Sequence, residues 1–242
     1  MLDKTRGIIL HTVKYGENSL ILTIYTEKSG RQSYIINAAR NARSKNKAGL
    51  LQPLFIVDLE TYEKKTREIQ RIKEIKLSTP YLSIPFDVVK YTQAILLSEF
   101  LYKAIIEQEQ NPDLFRFMEG SFLYFDLMNE GKQDFHIWFL SHLTSHLGIK
   151  PDIAGNSGGW LDMQKGTLTI SEPPHPGYMN PEISALLGYV LNLKLENLHN
   201  LKISRSIRNV LLSKILEYYI LHFGNLKSLK SSEILKAVFG GD

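Results

Sequence analysis

The sequence predicts an α+β protein in which a small five-stranded β barrel precedes an all-helical domain. The first 80 residues contain short segments rich in Ile, Val, Thr and Tyr, bounded by turn residues, whereas apolar residues recur at helical spacing from Pro80 onward. The chain has 242 residues, 43% of them hydrophobic, which is enough for a core in each part. We predict one domain over residues 1–80 and a helical domain over residues 81–242, with a loop-rich insertion at about 150–180.

Five strands are predicted in the first domain. Their bounds are Arg6–Val13, Ser19–Thr26, Arg31–Asn37, Pro53–Glu60 and Glu68–Leu77. The connection after the third strand is long enough for one short helix, around Ala48–Leu51. Five strands with a helical insertion after the third form the order of an OB-fold barrel, and an SH3-like barrel is the nearest alternative.

Helical periodicity predicts six helices after Pro80. Their bounds are Pro85–Gln108, Pro112–Asn129, Asp134–Leu147, Pro181–Leu191, Ser204–His222 and Ser231–Phe239. The third ends at Gly148 with Pro151 shortly after it, which is a typical stop. Between the third and fourth helices the sequence is rich in Gly and Pro, with a possible hairpin over Trp160–Ile170.

The composition excludes several classes of protein. No cysteine is present, so a disulfide framework, a thiol nucleophile, an iron–sulfur cluster and a zinc site built from thiolates are excluded. No apolar run approaches the ~18 residues that a membrane span requires. Only Gly7–Leu10 is apolar near the start, which is too short for a signal peptide. We expect a soluble cytoplasmic protein.

The positive charge is concentrated in the first domain. Residues 1–80 carry 15 basic and 8 acidic side chains, a net of +7, whereas residues 81–242 carry 14 basic and 17 acidic, a net of −3. A basic module indicates a polyanionic partner, most commonly nucleic acid. An unevenly charged, solvated surface is the alternative.

Two basic clusters and two further cations lie at the loops and strands that OB-folds use for oligonucleotides. The first cluster, after the third strand, is Arg40, Arg43, Lys45 and Lys47, and the second, around the fifth strand, is Lys64, Lys65, Arg67, Arg71 and Lys73. Lys14 lies on the loop after strand one, and Arg31 opens strand three. Such side chains can bind phosphate oxygens, Arg bidentately. A flexible solvated loop is the alternative for the first cluster.

Tyrosines lie on or near the same surface. They are Tyr15, Tyr25, Tyr34 and Tyr62. A tyrosine ring can stack a base for ~1–3 kcal/mol. Ordinary packing in the barrel is the alternative for each ring.

Histidines raise the possibility of a metal site. His142 and His146 are four residues apart on a predicted helix, and His136 precedes them, but the glutamate of the metalloprotease motif is missing. No third ligand is adjacent, so we expect surface or core-edge histidines and no cofactor. A histidine-based metal hydrolase stays the least favoured alternative, because no acid–base pair or nucleophile motif marks the chain as an enzyme.

The ordered motifs resemble those of the RecO family of recombination mediators. The likeness begins with Gly7–Leu10, Tyr15–Ser19 and Leu22–Thr26, and continues with Gly30, Ala39-Arg40, Arg43–Lys45, Leu51–Leu54, Phe135–Leu140, Leu143, Leu147-Gly148, Pro151 and Leu229–Leu235. It therefore spans nearly the whole chain. One departure is that many members carry a four-cysteine zinc site where this chain has Asp152–Asn180 without cysteine. We expect Trp160, Leu161, Leu168, Ile170 and prolines to hold this insertion.

The resemblance implies a non-enzymatic DNA-handling role. Members of this family bind single- and double-stranded DNA, anneal complementary strands, and cooperate with RecR to load RecA onto DNA coated by single-strand-binding protein, which implies association with the nucleoid. The family also docks the acidic tail of single-strand-binding protein on its helical part, for which Arg116 and Lys132 are the candidate cations here. The alternative function is a protein-binding scaffold whose barrel is merely basic.

Overall fold

The computed structural model describes residues 2–37, 51–62, 66–153 and 158–228. The chain divides into two compact units, Met1–Leu127 and Met128–Asp242. The α+β class, a closed barrel followed by helices, is confirmed. The division into domains at residue 80 stays a prediction. None of the helices in the described ranges is both long and apolar enough to cross a membrane.

The first unit begins with a closed five-stranded barrel. Its strands are β1 (Leu2–Tyr15), β2 (Ser19–Thr26), β3 (Gly30–Asn37), β4 (Ile56–Tyr62) and β5 (Ile69–Leu77). They close in the order β1-β2-β3-β5-β4, with β3 parallel to β5 and the other pairs antiparallel. The OB-fold prediction is therefore confirmed over the SH3-like alternative. The predicted helix around Ala48–Leu51 lies outside the described residues apart from Leu51.

Strand β1 is longer than the predicted Arg6–Val13. Its N-terminal half pairs with β4 and most of its length pairs with β2, so one strand supplies two sides of the barrel. At the bulge beside Leu10, the carbonyl oxygen of this residue accepts a hydrogen bond from Ser98 at 2.5 Å. Sequence periodicity could not show this length, because the added apolar residues, Leu2 and Tyr15 among them, are exposed and stand beside charged residues in the sequence.

Two helices complete the first unit, α1 (Val88–Ala104) and α2 (Pro112–Leu127). Asp87 caps α1 by accepting hydrogen bonds from the amides of Val89 and Lys90. Asp126, near the end of α2, accepts hydrogen bonds from three successive amides, those of residues 82–84, at 2.7–2.8 Å. These contacts fix the segment that leads from the barrel into α1.

The second unit is built on α3 (Phe135–His146), α4 (Pro181–Asn192) and α5 (Arg205–His222). Asn180 and Ser204 cap the last two helices, and Gly148, at φ +73°, ends the first as predicted. A buried ion pair joins Asp134 to Arg208 at 2.5 Å. The predicted helix over Ser231–Phe239 lies outside the described residues.

The insertion of the second unit folds around a three-stranded sheet. Its strands are β6 (Trp160–Asp162), β7 (Thr167–Thr169) and β8 (Tyr178–Met179), with β6 in the centre. Leu161, Met163 and Met179 are fully buried. The expectation that Ile170 packs inside is wrong, because this side chain is 92% exposed just beyond the end of β7.

Asp162 is the polar centre of the insertion. Its carboxylate is 2% exposed and accepts hydrogen bonds from the amides of Gln164 and Lys165 at 3.0 and 3.2 Å. The ammonium group of Lys165 lies 3.3 Å away, and Nε2 of His175 lies at 3.4 Å. A carboxylate thus ties the turn after β6 to the proline-rich loop, in a segment that contains no cysteine.

Candidate nucleic-acid interface

The strand register gives the barrel an inner and an outer side. Paired residues on neighbouring strands lie on the same side, and successive residues alternate. Leu22 pairs with Tyr34, and both are 0% exposed inside the barrel. Ile21, one residue earlier, pairs with Val13 and with Ile35. These three side chains are half-buried or exposed, so their row faces outward.

Helices α1 and α2 cover one end of the outer side. The ring of Tyr25 is buried and stacks on Phe115 with a centroid separation of 6.5 Å. Arg31 donates hydrogen bonds to the carbonyl oxygens of Tyr102 and Ile105 at 2.7 and 2.6 Å, and its guanidinium lies 4.7 Å from the Tyr102 ring centroid. Both side chains are predicted nucleic-acid contacts, and in the structure they hold the helices on the barrel.

The other end of the outer side is not covered by any helix among the described residues. There a row of paired residues crosses all five strands, from Val13 through Ile21, Ile35 and Arg71 to Tyr62, and at a strand spacing of ~4.8 Å it spans about 19 Å. Tyr15 and Ile69 flank the row and are 57% and 41% exposed. We call this surface the open face; it consists of Val13, Tyr15, Ile21, Ile35, Tyr62, Ile69 and Arg71.

Three predicted cations lie on or beside the open face. Arg71 lies within the row, Lys14 is exposed at the end of β1, and Arg67 is exposed just before β5. Within the described part of the first unit, these three side chains form no ion pair. The other predicted cations, Arg40, Arg43, Lys45, Lys47, Lys64 and Lys65, lie outside the described residues, in segments that follow Asn37 and Tyr62 directly in the chain.

The remaining barrel surface is electrostatically different, because its cations are matched by acids. Glu60 binds Lys4 at 2.7 Å and Lys73 at 3.0 Å, and these ammonium groups lower the pKa of its carboxyl to about 2. Arg6 binds Glu27 and Glu119 at 3.0 and 2.5 Å. A cavity of about 390 Å³ lies among these pairs. Paired charges attract phosphate weakly, so the open face is the better polyanion surface.

The predicted tyrosines divide into buried and exposed rings. Tyr34 is 0% exposed in the barrel interior, and burial raises the pKa of Tyr25 to about 12, with Glu107 adding to the shift. These two rings take the packing role that the sequence left open. Tyr15 and Tyr62 are exposed on the open face, where a base can reach them.

The candidate cations for a partner tail lie in different units. Arg116 is exposed on α2 and is ion-paired with Asp113 on the same helix. Lys132 is half-buried in the short turn before α3. The second unit also holds a cavity of about 350 Å³, with Pro151, Ile153 and Leu191 in its wall and Lys150 at its edge.

Two histidines of α3, His136 and His142, are packed within the second unit. His142 stacks on Trp138 at 4.3 Å, and its Nε2 lies 3.1 Å from the carbonyl oxygen of Val190. His136 is buried, and burial, with Arg208 nearby, lowers its pKa to about 3. Among the described residues, no group of three or more metal-binding side chains is assembled.

Sequence reasoning missed the apolar part of the open face. In β2 the alternation of Leu20, Leu22 and Ile24 with Ile21, Thr23 and Tyr25 predicts one side in the core and one side partly free, but it does not say where along the strand helices pack on the free side. Only the position of α1 and α2 on the barrel separates the covered end from the open face.

Comparison with known families follows the two parts of the chain. The model described as "Recombination protein O N terminal" matches residues 1–81, and that described as "Recombination protein O C terminal" matches residues 85–233. The chain belongs to the RecO family. The predicted resemblance is therefore confirmed, and RecO membership makes this a protein of DNA recombination and repair.

Full-length relatives agree with the RecO assignment. A DNA repair protein RecO of Bacteroides fragilis is 36% identical over 241 residues, covering 99% of this chain and 100% of the relative. Those of Phocaeicola vulgatus and Flavobacterium psychrophilum are 33% and 32% identical over 240 and 241 residues, with the same coverage. The similarity therefore includes both the barrel and the helical part.

Proposed function

We propose that this RecO protein binds single-stranded DNA on the open face, anneals complementary strands, and helps load RecA onto DNA coated by single-strand-binding protein. The observation that carries the proposal is the open face itself. It combines exposed aromatic and apolar side chains with three cations that no described acid neutralises, Lys14, Arg67 and Arg71. Single-strand binders combine stacking surfaces with a positive groove in this way.

Annealing requires two polyanions to approach each other. Cations beside a bound strand lower the repulsion that a second strand meets, while bases packed on an apolar surface stay accessible for pairing. The two segments that follow Asn37 and Tyr62 directly in the chain contain further basic residues in the sequence. No covalent chemistry is needed for these steps, so we infer a non-catalytic role at the nucleoid, with RecR as a partner in RecA loading.

The first test is a salt series with labelled single-stranded DNA. With Z phosphate contacts, log K should fall with log salt at a slope of about −0.7Z. The pair Lys14→Glu and Arg71→Glu should flatten this slope by about 1.4. The matched control, Lys194→Glu with Lys202→Glu, makes the same change of net charge on exposed positions of the second unit and should leave the slope unchanged.

A flat salt response of the wild-type protein would contradict DNA binding. The valine and isoleucines of the open face also suit a protein partner, so salt-independent binding of a protein there would favour the scaffold alternative. The same series measured on duplex DNA gives the preference between single and double strands.

The second test addresses annealing. Changing Arg40, Arg43, Lys45 and Lys47 together to Glu should abolish annealing of complementary oligonucleotides coated by single-strand-binding protein. The melting temperature should stay nearly unchanged, because the sequence predicts that these four residues lie on a loop and not in the barrel core. Retained annealing would show that the DNA path does not involve this segment.

The third test concerns the acidic tail of single-strand-binding protein, which needs an apolar pocket with a cation at its edge. Arg116→Glu, Lys132→Glu and Lys150→Glu are each compared by titration with a tail peptide. We expect one of these three variants to lose binding of the tail peptide while it still binds DNA. Unchanged binding in all three variants would exclude these cations as the docking site.

A further inference from the structure

A pair of stacked rings lies at the border between the covered end of the barrel and the open face. His11 of β1 and Tyr102 of α1 have a centroid separation of 4.3 Å and an interplanar angle of 27°. His11 is exposed, whereas Tyr102 is half-buried and is also contacted by Arg31. The tyrosine is therefore fixed by the fold, and it holds the histidine ring from one side.

The position of His11 follows from the register. It pairs with Thr23, which pairs with Ser33, and this row adjoins the row of Val13 in the open face. Two residues along a strand correspond to about 7 Å, the distance between His11 and Val13. A strand of nucleic acid lying along the open face would therefore reach the imidazole with a neighbouring base.

We propose that His11, backed by Tyr102, is a base-stacking platform that binds one unpaired nucleobase beside the open face. This subsite rests on the proposed function and extends the interface from the barrel onto α1. One face of the imidazole is covered by the tyrosine, and the exposed remainder of the ring is offered to a base. Stacking of this kind is tolerant of sequence, because every base has a π face.

The imidazole stacks in its neutral form. Partial desolvation of the ring lowers the pKa of His11, with Arg31 and Lys103 acting in the same direction and Glu99 opposing them. The ring is therefore uncharged at pH 7.5, and it contributes stacking rather than a phosphate contact. A phenylalanine at position 11 should therefore stack on a base as the histidine does, and the variant His11→Phe separates the effect of stacking from the effect of charge.

The test uses full-length protein and single-stranded DNA that contains 2-aminopurine. His11→Ala and His11→Leu should weaken binding about 5- to 150-fold, the range that corresponds to ~1–3 kcal/mol per stacked base, and should reduce quenching of the probe. The slope of log K against log salt should stay that of the wild type, since no phosphate contact is lost. His11→Phe should restore both affinity and quenching, and His199→Ala, at an exposed histidine of the second unit, should change neither.

The outcomes separate this subsite from the proposed function. If the wild type binds DNA, and Lys14→Glu with Arg71→Glu weakens binding, while His11→Ala and His11→Leu bind as the wild type does, then only the stacking platform is refuted. If His11→Leu binds as tightly as His11→Phe, aromatic stacking is also refuted. If the wild type binds no single-stranded DNA, both the proposed function and the platform fail. Circular dichroism and the melting temperature establish that each variant is folded.

Discussion

Asp162 offers the sharpest test of how the insertion is held without cysteine. Asp162→Ala removes two hydrogen bonds from backbone amides, those of Gln164 and Lys165, to a charged acceptor. Such bonds contribute about 1.5–3 kcal/mol each, but both residues are exposed and their amides can bind water in the variant. We therefore expect the unfolding free energy to fall by about 3 kcal/mol, or roughly 10 °C in melting temperature.

Asp162→Asn separates the effect of the hydrogen bonds to Asp162 from the effect of its charge on stability. Its amide oxygen still accepts from the two backbone amides, so only the charge and its contacts with Lys165 and His175 are lost. Because Lys165 is well exposed, that ion pair contributes little, and we expect a loss of about 1 kcal/mol. Glu196→Gln, at an exposed acid of the same unit, should change stability by less than about 0.5 kcal/mol.

The pH dependence has a definite sign. Burial acts to raise the pKa of Asp162, but the amides of Lys165 and Gln164, with the Lys165 and His175 side chains, outweigh it and lower the pKa below its ordinary value. The stabilisation is therefore present above the unfolded pKa of about 3.9 and is lost as the pH falls through the folded pKa. The gap between wild type and Asp162→Asn should close below about pH 4.

Urea unfolding followed by fluorescence is the assay, because Trp160 lies in β6 against Tyr178 and senses the insertion. An Asp162→Ala variant as stable as Glu196→Gln would refute the role of this carboxylate. A melting temperature of the wild type that falls on treatment with EDTA would also refute it, since a metal would then hold the insertion.

Three further substitutions test the contacts that position the interface and the helical core. Asp126→Asn should lower the free energy of unfolding in urea by about 2–3 kcal/mol, because a side-chain amide cannot accept all three backbone N–H groups that the carboxylate accepts. The difference between the wild type and this variant should vanish at acid pH, because the pKa of Asp126 is lowered in the fold and the carboxylate is protonated there. Arg31→Gln should lower the melting temperature but leave the salt slope of DNA binding unchanged; a flatter slope would make Arg31 a phosphate contact. Arg208→Met should lower the free energy of unfolding by about 3–5 kcal/mol, because it leaves Asp134 buried without its cation. This loss should shrink as the pH falls, because burial raises the pKa of Asp134 and protonation removes its charge. Equal losses of stability at pH 4 and pH 8 would contradict this account.

The sequence predicted the elements of the fold closely where local signals are strong. Ser19–Thr26 agrees with β2 at both ends, and α4 begins at Pro181 as expected, because turn residues and a proline after a capping Asn are read from local sequence. Helix α1 is shorter than the predicted Pro85–Gln108. The residues after Ala104 lie against the β2–β3 turn, where the amide of Arg31 donates to the carbonyl oxygen of Glu107, and periodicity does not report such contacts.

Sequence alone determined the barrel followed by helices, the separation of charge, the absence of a thiolate zinc site and the family. These follow from residue types and their order along the chain, which need no knowledge of what packs against what. Only the tertiary structure decided which predicted site residues stay available. Tyr25 and Arg31 pack on α1 and α2, whereas Tyr62 and Arg71 stay on the open face. The physical reason is that both sides of the barrel wall carry apolar residues, so the helices that cover one end, and not the strand pattern, select the exposed surface.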